Sequence, residues 1–385
     1  MLNVSIIGMG NTGNQVASLA SEELKIPAMA INSSEKDLES VSESIPKKLI
    51  SSREGKSQGA GKNRKLAKEY LKDSVMSLLS DEDTQNFIGN SDVLFIVSST
   101  GGGTGSGTAL VMSKIVSQMF AGTTKVITIG VLPVMSEALS AHVNTLEYLN
   151  ELYSALDNST YMLYDNDRYS NLPSYKMMEK VNHEIVKDID VLRCTYNYST
   201  PYDSIDEQDM KRLISFPGRL AVARLEDIKE RDLDEQTIED LLIKKIKTFP
   251  HVEMQRDQKI TATGVIANLS DVVFDEFDNH IPKVVEFIGS PDHDFNHISR
   301  NEDRKMPNNV FLIMSGLSAV NDRILKLTDR IDEIEEKQKI REEEAAIDAS
   351  EIKGLSDQIS SKDGEKKSEA KSSVDLESIF DEFGV

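Results

Sequence analysis

The chain has 385 residues, a formal net charge of -21 and a single cysteine. Its length is sufficient for two domains with sizeable cores, and its acidity argues against direct binding to nucleic acid or to an anionic membrane. The single Cys194 excludes an intramolecular disulfide framework, and no apolar run is long enough to cross a membrane. We therefore expect a soluble, cytoplasmic protein.

A first β-strand is predicted at Asn3–Ile7, followed by a turn and a helical apolar pattern. The turn, Gly8–Gly13, matches the G-x-G-x-x-G pattern of dinucleotide sites. Such a site also expects an acidic residue at the end of the second strand, but the predicted strand Ala28–Ile31 is followed by Asn32–Ser34. An NAD-dependent oxidoreductase is therefore an alternative that the sequence matches imperfectly.

A locally basic segment, Lys47–Lys72, follows in this acidic chain, with Gly59–Lys65 at its centre. Such a local reversal of charge indicates an anion close by. A solvated run of charges explains the same lysines, and the sequence leaves both interpretations open.

The most informative stretch is Ser98–Gly107, where five glycines occur within Gly101–Gly107. It lies between a predicted buried strand, Asp92–Val97, and a helical apolar pattern. Glycine allows positive φ and a close approach of a ligand to the backbone, and the N–H groups at a helix start favour an anion. The hydroxyls of Thr104 and Ser106 can reach phosphate oxygens. A flexible linker is the alternative, but linkers do not join a buried strand to an amphipathic helix.

This stretch resembles the GGGTG[ST]G signature of the tubulin and FtsZ GTPases, and Gly10–Val16 resembles the GQCGNQI segment of tubulin. The resemblance implies an α/β fold with a parallel-sheet, Rossmann-like GTP-binding domain, a long central helix and a smaller mixed α/β second domain. A long C-terminal helix and a disordered tail complete the expected architecture. The resemblance also implies GTP or GDP with Mg²⁺ as cofactors, and head-to-tail self-association into filaments.

The resemblance places the nucleotide against the loops of the first domain. Glu137 corresponds to the ribose-contacting position, although Ala141 stands where FtsZ has an arginine. Asn166 and Asn182 correspond to positions that read guanine, and amide side chains suit guanine because they donate and accept at once. The implied nucleotide-binding residues are Gly10, Asn11, Thr12, Gln15, Asn32, Ser33, Gly61, Lys62, Gly101, Gly102, Gly103, Thr104, Gly105, Ser106, Glu137, Asn166 and Asn182.

A long helix is predicted over Lys176–Leu192, and the part that begins at Val181 resembles the tubulin central helix. The following segment, Tyr202–Arg212, is crowded with carboxylates. A solvated acidic turn or a helix N-terminus explains such a segment. The resemblance instead implies the N-x-D-x-x-[DE] loop that completes the active site of the next subunit, with Asp206 and Asp209 as catalytic acids. Hydrolysis of a γ-phosphate needs charge neutralisation and a water held in line, which suits these residue types.

Strands predicted at Lys259–Ala267, Val284–Ile288 and Asn309–Gly316 indicate a small mixed sheet in the second half of the chain. The segment Ser290–Pro307 contains two prolines and many polar residues, which predicts an exposed loop.

A long charged helix is predicted from Ser318 to about Ala349, and the composition of Ser356–Ser373 predicts disorder. The last segment, Val374–Val385, predicts a short helix with one apolar face, which consists of Leu376, Ile379, Phe380 and Phe383. An exposed aromatic cluster of this kind predicts a linear binding motif. A vestigial end without a partner is the alternative.

The expected units are a GTP-binding domain (1–175), a central helix (176–194), a second domain with the acidic loop (195–317), a C-terminal helix (318–350) and an acidic tail (351–385). The tubulin-like first loop and the long C-terminal region resemble the plasmid and phage tubulins of the TubZ and PhuZ type. That implies segregation or positioning of DNA through a DNA-bound adaptor protein that engages the tail. A division protein of the FtsZ type, with membrane-anchor partners, and a GTP-binding homologue that does not hydrolyse GTP are alternatives.

Overall fold

The structure is a computed structural model that describes residues 1–55, 57–155, 158–193, 205–233, 237–254, 259–271, 273–274, 289, 291–300, 307–319, 321–351 and 376–384. The strands are β1 (Val4–Met9), β2 (Ala28–Asn32), β3 (Lys47–Leu49), β4 (Val93–Ser99), β5 (Lys125–Leu132), β6 (Thr160–Asp165), β7 (Gly218–Ile228), β8 (Ala262–Leu269), β9 (His293–Arg300) and β10 (Asn308–Leu317). The helices are α1 (Gly10–Leu24), α2 (Glu35–Glu39), α3 (Arg64–Ser80), α4 (Glu82–Gly89), α5 (Thr104–Met119), α6 (Leu139–Ala155), α7 (Ser174–Leu192), α8 (Glu207–Leu213), α9 (Ile238–Thr248), α10 (Asn321–Glu351) and α11 (Leu376–Glu382).

The strands form one sheet with the order β3-β2-β1-β4-β5-β6-β7-β10-β8-β9, and the predicted α/β class is confirmed. Strands β1 to β6 are parallel to their neighbours. β1 is buried along its whole length because helices cover both faces of a parallel sheet.

The order of the parallel strands reverses direction between β1 and β4. Met9 at the end of β1 lies opposite Ser98 near the end of β4, so the segments that leave these two strands begin side by side. Ligands of open α/β sheets bind outside the carboxyl ends of the strands at such a switch point. The topology therefore places both glycine-containing turns where a ligand site is expected.

The second half of the sheet is joined to the first by a narrow junction. β6 and β7 pair only through Thr160 with Gly218 and Tyr161 with Arg219. Beyond this junction β7, β10 and β8 are antiparallel, and they pack with α9 around a separate apolar core.

The exposed loop expected at Ser290–Pro307 is wrong in its central part, because His293–Arg300 forms β9. β9 pairs with β8 in parallel and forms the edge of the sheet. Its buried positions include His297 and Ser299, so the strand lacks the aliphatic alternation by which strands are recognised. The strand expected at Val284–Ile288 lies outside the described residues.

A buried ion cluster joins α7 to the second half of the chain. Arg224 of β7 donates to Asp188 Oδ1 at 2.6 Å and pairs with Glu184 one helical turn away. Burial raises the pKa of both carboxyls, but Arg224 and the other groups that donate to these carboxylates together keep the pKa of Asp188 below its ordinary 3.8 and that of Glu184 below its ordinary 4.5. The central helix is therefore fixed to β7 by charge as well as by apolar packing.

Replacing Arg224 with methionine is expected to lower the free energy of unfolding by about 3–5 kcal/mol at neutral pH, because two buried carboxylates lose the cation that they share. In the wild type both pKa values are lower in the folded state, so the unfolded state binds more protons in the acid range. The stability that the pairing contributes is present above the ordinary pKa values and is lost as pH falls through the lowered ones. In Arg224→Met this acid-induced loss should be smaller, because the largest contribution that lowers both pKa values is removed.

Urea unfolding across the acid range measures this difference. Lys187→Met is the control, because Lys187 is exposed and pairs with the exposed Glu226. An Arg224→Met variant whose stability falls with acid as steeply as that of the wild type would contradict the assignment.

The expected C-terminal helices are confirmed as α10 and α11, but the expected exposure of the last apolar face is wrong. Ile379, Phe380 and Phe383 are buried in the apolar cluster that contains residues of α3 and α5. Helical periodicity identifies an apolar face but not the surface that covers it. The segment Ser356–Ser373 lies outside the described residues. Among the helices that the structure describes, none is both long and apolar enough to cross a membrane.

Candidate functional site

The turns after β1 and β4 are in backbone contact with each other. Gly10 has a φ of +72°, and a Cβ atom added to it would lie 2.8 Å from the Gly105 nitrogen. A Cβ atom on Gly105 would lie 2.6 Å from the Met9 oxygen. The helices α1 and α5 start at these turns without a side-chain cap, so the N–H groups of their first turns are available to an anion.

A third segment, which ends at the start of α3, lies over the glycine-rich turn. A Cβ atom on Gly103 would lie 2.9 Å from the Lys62 nitrogen. Gly61 and Lys62 both have positive φ, and the Lys62 side chain is exposed. Asn63 caps α3 by accepting from Leu66 N at 3.0 Å. The basic segment therefore reaches the site through Lys62 at its rim.

Asn144 of α6 holds these two segments together. Its Nδ2 atom donates to the carbonyl oxygens of Lys62 at 3.0 Å, Gly101 at 3.2 Å and Gly102 at 3.0 Å. The side chain is buried. One amide group thus fixes the spacing between the glycine-rich turn and the segment above it.

Replacing Asn144 with aspartate is expected to destabilise the fold by about 1–3 kcal/mol, because a carboxylate that cannot donate would face three carbonyl oxygens. Asn144→Ala should cost less, since it removes the donor without adding a charge. Chemical denaturation measures both variants. Asn150→Asp, the same substitution at an exposed position of α6, is the control and should be nearly neutral. Equal stability of Asn144→Asp and Asn150→Asp would contradict the role of this amide.

The segment after β2 meets the glycine-rich turn through hydroxyl groups. Ser33 Oγ lies 2.6 Å from Thr104 Oγ1. Asn32 Oδ1 accepts from Ser33 N at 2.8 Å, so this side chain shapes its own loop. Ser106 is buried, and its hydroxyl donates to the Gly102 oxygen. In this structure the Ser106 hydroxyl thus holds the turn, whereas Ser33 and Thr104 lie together beside it.

The first turn of α1 faces the central helix. Gln15 Nε2 donates to Asn11 Oδ1 at 3.5 Å, and Asn182 Nδ2 donates to Gln15 Oε1 at 3.5 Å. Thr12 is half-buried in the same turn. The amides that the sequence assigned to two separate segments are therefore neighbours in space.

Glu137 and Asn166 follow β5 and β6, so they lie at the carboxyl ends of the parallel strands, as the glycine-containing turns do. Glu137 is half-buried in the segment before α6. Asn166 begins a 3-10 turn, and its Oδ1 atom is buried without a hydrogen-bond partner in the described part of the chain. A buried acceptor without a partner is costly, so Asn166 is suited to accept a hydrogen bond from a ligand.

The two predicted acids form a capping box at the start of α8. Asp206 Oδ1 accepts from Asp209 N at 2.8 Å, and Asp209 Oδ2 accepts from Asp206 N at 3.3 Å. Asp206 is exposed and Asp209 is half-buried. Within one chain these two acids therefore cap the N-terminus of α8, which is one of the interpretations that the sequence left open.

These acids lie at the opposite end of the sheet from the glycine-rich turns. Glu207 pairs with the N-terminal ammonium of Met1, and Lys211 Nζ lies 2.7 Å from Asp92 Oδ1. Asp92 directly precedes β4, whereas the glycine-rich turn follows it. The seven residues of β4 span about 20 Å. A single copy therefore does not bring Asp206 and Asp209 to the turns.

Arg64 is a buried cation at the site that sequence reasoning missed. Its NH2 group donates to the Ser106 oxygen at 3.0 Å, and it pairs with Glu147 at 2.8 Å and Glu151 at 2.6 Å. No group of three or more His, Cys, Asp or Glu side chains could hold a metal ion within the part of the chain that the structure describes.

Residues 3–173 match the family model described as "Tubulin/FtsZ family, GTPase domain". This part of the chain is a tubulin/FtsZ GTPase domain. The domain contains β1 to β6, both glycine-rich turns, Lys62, Asn144 and Asn166.

Curated relatives of the tubulin/FtsZ GTPase domain include archaeal proteins. The tubulin-like protein CetZ of Pyrococcus horikoshii is 26% identical over 225 residues, which cover 56% of this chain and 59% of that protein. Cell division protein FtsZ 1 of Methanocaldococcus jannaschii is 30% identical over 190 residues, which cover 48% of each. Each match spans less than two thirds of the relative's own length.

The fold beyond the GTPase domain is also similar to solved structures. A GTPγS-form protofilament of Bacillus thuringiensis serovar israelensis TubZ has a TM-score of 0.70 and 18% identity, covering 89% of this chain and 94% of that one. This likeness shows that the second half shares the tubulin/FtsZ fold.

Proposed function

We propose that the chain is a filament-forming GTPase in which GTP bound by one copy is hydrolysed with Asp206 and Asp209 of the next copy. The observation that carries this proposal is the separation of the two parts of the site. The glycine-rich turns lie at the carboxyl ends of the parallel strands, and the acids lie at their amino ends. Head-to-tail stacking of copies brings these two faces together.

The residues of the first domain are suited to a nucleoside triphosphate. The uncapped starts of α1 and α5, with Gly10, Gly101–Gly105 and Thr104, would bind the phosphates, and Lys62 would neutralise charge at the rim. Asn166 and Asn182 would read guanine, and Glu137 would contact the ribose. Mg²⁺ is bound mainly through phosphate oxygens in such sites. The GTPγS-form protofilament of the similar TubZ supports both the ligand and the assembly.

We propose that residues 1–175 bind the nucleotide and that residues 195–317 deliver the acids, with most of α7 between them. A carboxylate can position the attacking water once Mg²⁺ and backbone donors neutralise the transferring phosphoryl group. Because the acids come from a neighbour, an isolated copy should hydrolyse GTP very slowly.

Ligand-dependent thermal unfolding and phosphate release test this function. GTP should raise the melting temperature, whereas ATP and NAD should not, because a ligand that binds the folded state stabilises it by mass action. Phosphate release should show a threshold in protein concentration, and electron microscopy should show filaments above it. Stabilisation by NAD alone, or release proportional to concentration from zero, would contradict the proposal.

We further propose that the filaments segregate or position plasmid or phage DNA in the cytoplasm through a DNA-bound adaptor that engages the C-terminal region. Similarity of the fold to TubZ supports this role. The apolar face of α11 is buried in this structure. An adaptor would therefore bind either the charged surface of α10 or α11 after α11 has been released from the GTPase domain. A replicon that carries an Asp209→Asn version of the coding region should be lost faster from dividing cells. A division defect without loss of the replicon would favour the FtsZ-type alternative.

A further inference from the structure

The last helix, α11, is seated in a groove between α3 and α5 of the GTPase domain. Ile379, Phe380 and Phe383 are each less than 5% exposed. They share an apolar cluster with Leu71 and Val75 of α3 and with several residues of α5. Residues 352–375 connect α11 to α10, so the occupant of this groove belongs to the same chain.

Lysines lie around and inside the groove, and α11 is acidic. Lys114 Nζ lies 3.2 Å from Glu382 Oε2. Lys68 Nζ lies 5.6 Å from the centre of the Phe383 ring, and Lys72 Nζ lies 5.6 Å from that of Phe380. A seven-residue helix is marginal in water by itself, so its order depends on this apolar and electrostatic docking.

A continuous chain of hydrogen bonds connects the docked helix to the glycine-rich turn. Lys68 Nζ donates to the Phe383 oxygen at 2.6 Å and to Glu151 Oε1 at 2.7 Å. Arg64 donates to Glu151 Oε2 at 2.6 Å and to the Ser106 oxygen at 3.0 Å. Arg64 and Lys68 are both buried, so few water molecules are available to replace these contacts when one is broken.

We propose that α11 is a detachable intramolecular latch, and that its docking between α3 and α5 orders the glycine-rich turn through Lys68, Glu151 and Arg64. Docking fixes the two cations around one carboxylate, and this arrangement holds the Ser106 carbonyl. Release of α11 leaves Lys68 without the Phe383 oxygen and loosens the same arrangement. Because coupling free energies are reciprocal, any ligand that orders the turn strengthens docking of the latch.

Hydrogen–deuterium exchange of the full chain without nucleotide tests this coupling. In the wild type the amides of residues 378–384 should be protected at every protein concentration. In Phe380→Asp they should exchange freely, and the amides of residues 101–107 should exchange roughly fivefold faster or more, while β1 and β4 stay protected. Asp381→Ala, on the outward face of α11, is the matched control and should change neither segment.

Glu151→Gln tests the route of the coupling. It should speed exchange of residues 101–107, and adding Phe380→Asp to it should produce no further increase. GTP added to the wild type should then slow exchange of residues 378–384.

Four outcomes would overturn the latch: free exchange of residues 378–384 in the wild type, protection there that disappears on dilution, unchanged exchange of residues 101–107 in Phe380→Asp, or additive effects of the two substitutions. Dilution-dependent protection would identify a second copy as the occupant. A GTP response that is absent from the glycine-rich turn itself would contradict the proposed function, whereas the nucleotide-free comparisons would still decide the latch.

Discussion

Replacing Gly105 with alanine is expected to lower the affinity for GTP by roughly 100-fold, which is the loss of one or two hydrogen bonds to a charged phosphate at about 1.5–3 kcal/mol each. The added Cβ atom would lie 2.6 Å from the Met9 oxygen and 3.0 Å from Ser98 Cβ. Met9 is fixed within the sheet and Gly105 within the first turn of α5, so neither backbone can yield alone. The two glycine turns must separate, and the N–H groups of α1 and α5 would no longer converge on one phosphate group.

The same substitution should destabilise the fold by about 1–3 kcal/mol, as overpacking does in dense interiors. Binding is therefore measured with a fluorescent GTP analogue at a temperature where the variant is folded, as judged by circular dichroism. Gly89→Ala is the matched control, because its Cβ atom would lie 3.5 Å from the Phe120 ring, an ordinary contact. A folded Gly105→Ala protein that binds GTP as tightly as Gly89→Ala would show that the two turns do not form one phosphate site.

The strands and turns of the first domain could be predicted from the sequence because their signals are local. β1 and β4 are mainly apolar, and each leads into a turn that contains glycine. Because parallel strands all end at the same side of a sheet, the turns that follow β1 and β4 are expected to lie together at the carboxyl ends of the strands. Local sequence signals were therefore sufficient to predict where the candidate site lies in the fold.

The features that the sequence did not predict depend on partners distant along the chain. Asn144 is one polar residue in an amphipathic helix, and only the fold brings Lys62 and Gly101 to its amide group. Arg64 is buried although its neighbours in the basic segment, Lys62 and Lys65, are exposed. β9 was missed because an edge strand can bury polar side chains such as Ser299. The apolar face of α11 was recognised, but its pattern carries no information about α3 and α5.

Replacing Asp209 with asparagine is expected to reduce GTP turnover by about 10²- to 10⁴-fold, the range for a lost acid–base or water-positioning group, while GTP affinity stays unchanged. An asparagine at this position can still accept the hydrogen bond from Asp206 N, which is 3.3 Å long, so α8 should keep its cap. The charge that orients the attacking water is lost. Filaments of Asp209→Asn should therefore form with GTP and persist, as electron microscopy and light scattering would measure.

Mixing two inactive variants distinguishes a site shared between copies from a site within one copy. Asp209→Asn copies bind GTP but lack the carboxylate of residue 209, whereas Gly105→Ala copies carry that carboxylate but leave their own site largely empty at a GTP concentration that fills the Asp209→Asn site. One complete site forms when a Gly105→Ala copy places its α8 against the nucleotide-binding turns of an Asp209→Asn copy. Phosphate release should then reappear in the mixture, and the double variant in place of Gly105→Ala should restore nothing. The acids and the glycine-rich turns of one chain lie at opposite ends of its sheet, so a mixed filament contains interfaces at which an intact turn of one copy meets an intact Asp209 of the next. Mixed filaments that contain both variants and still release no phosphate would therefore contradict a shared site.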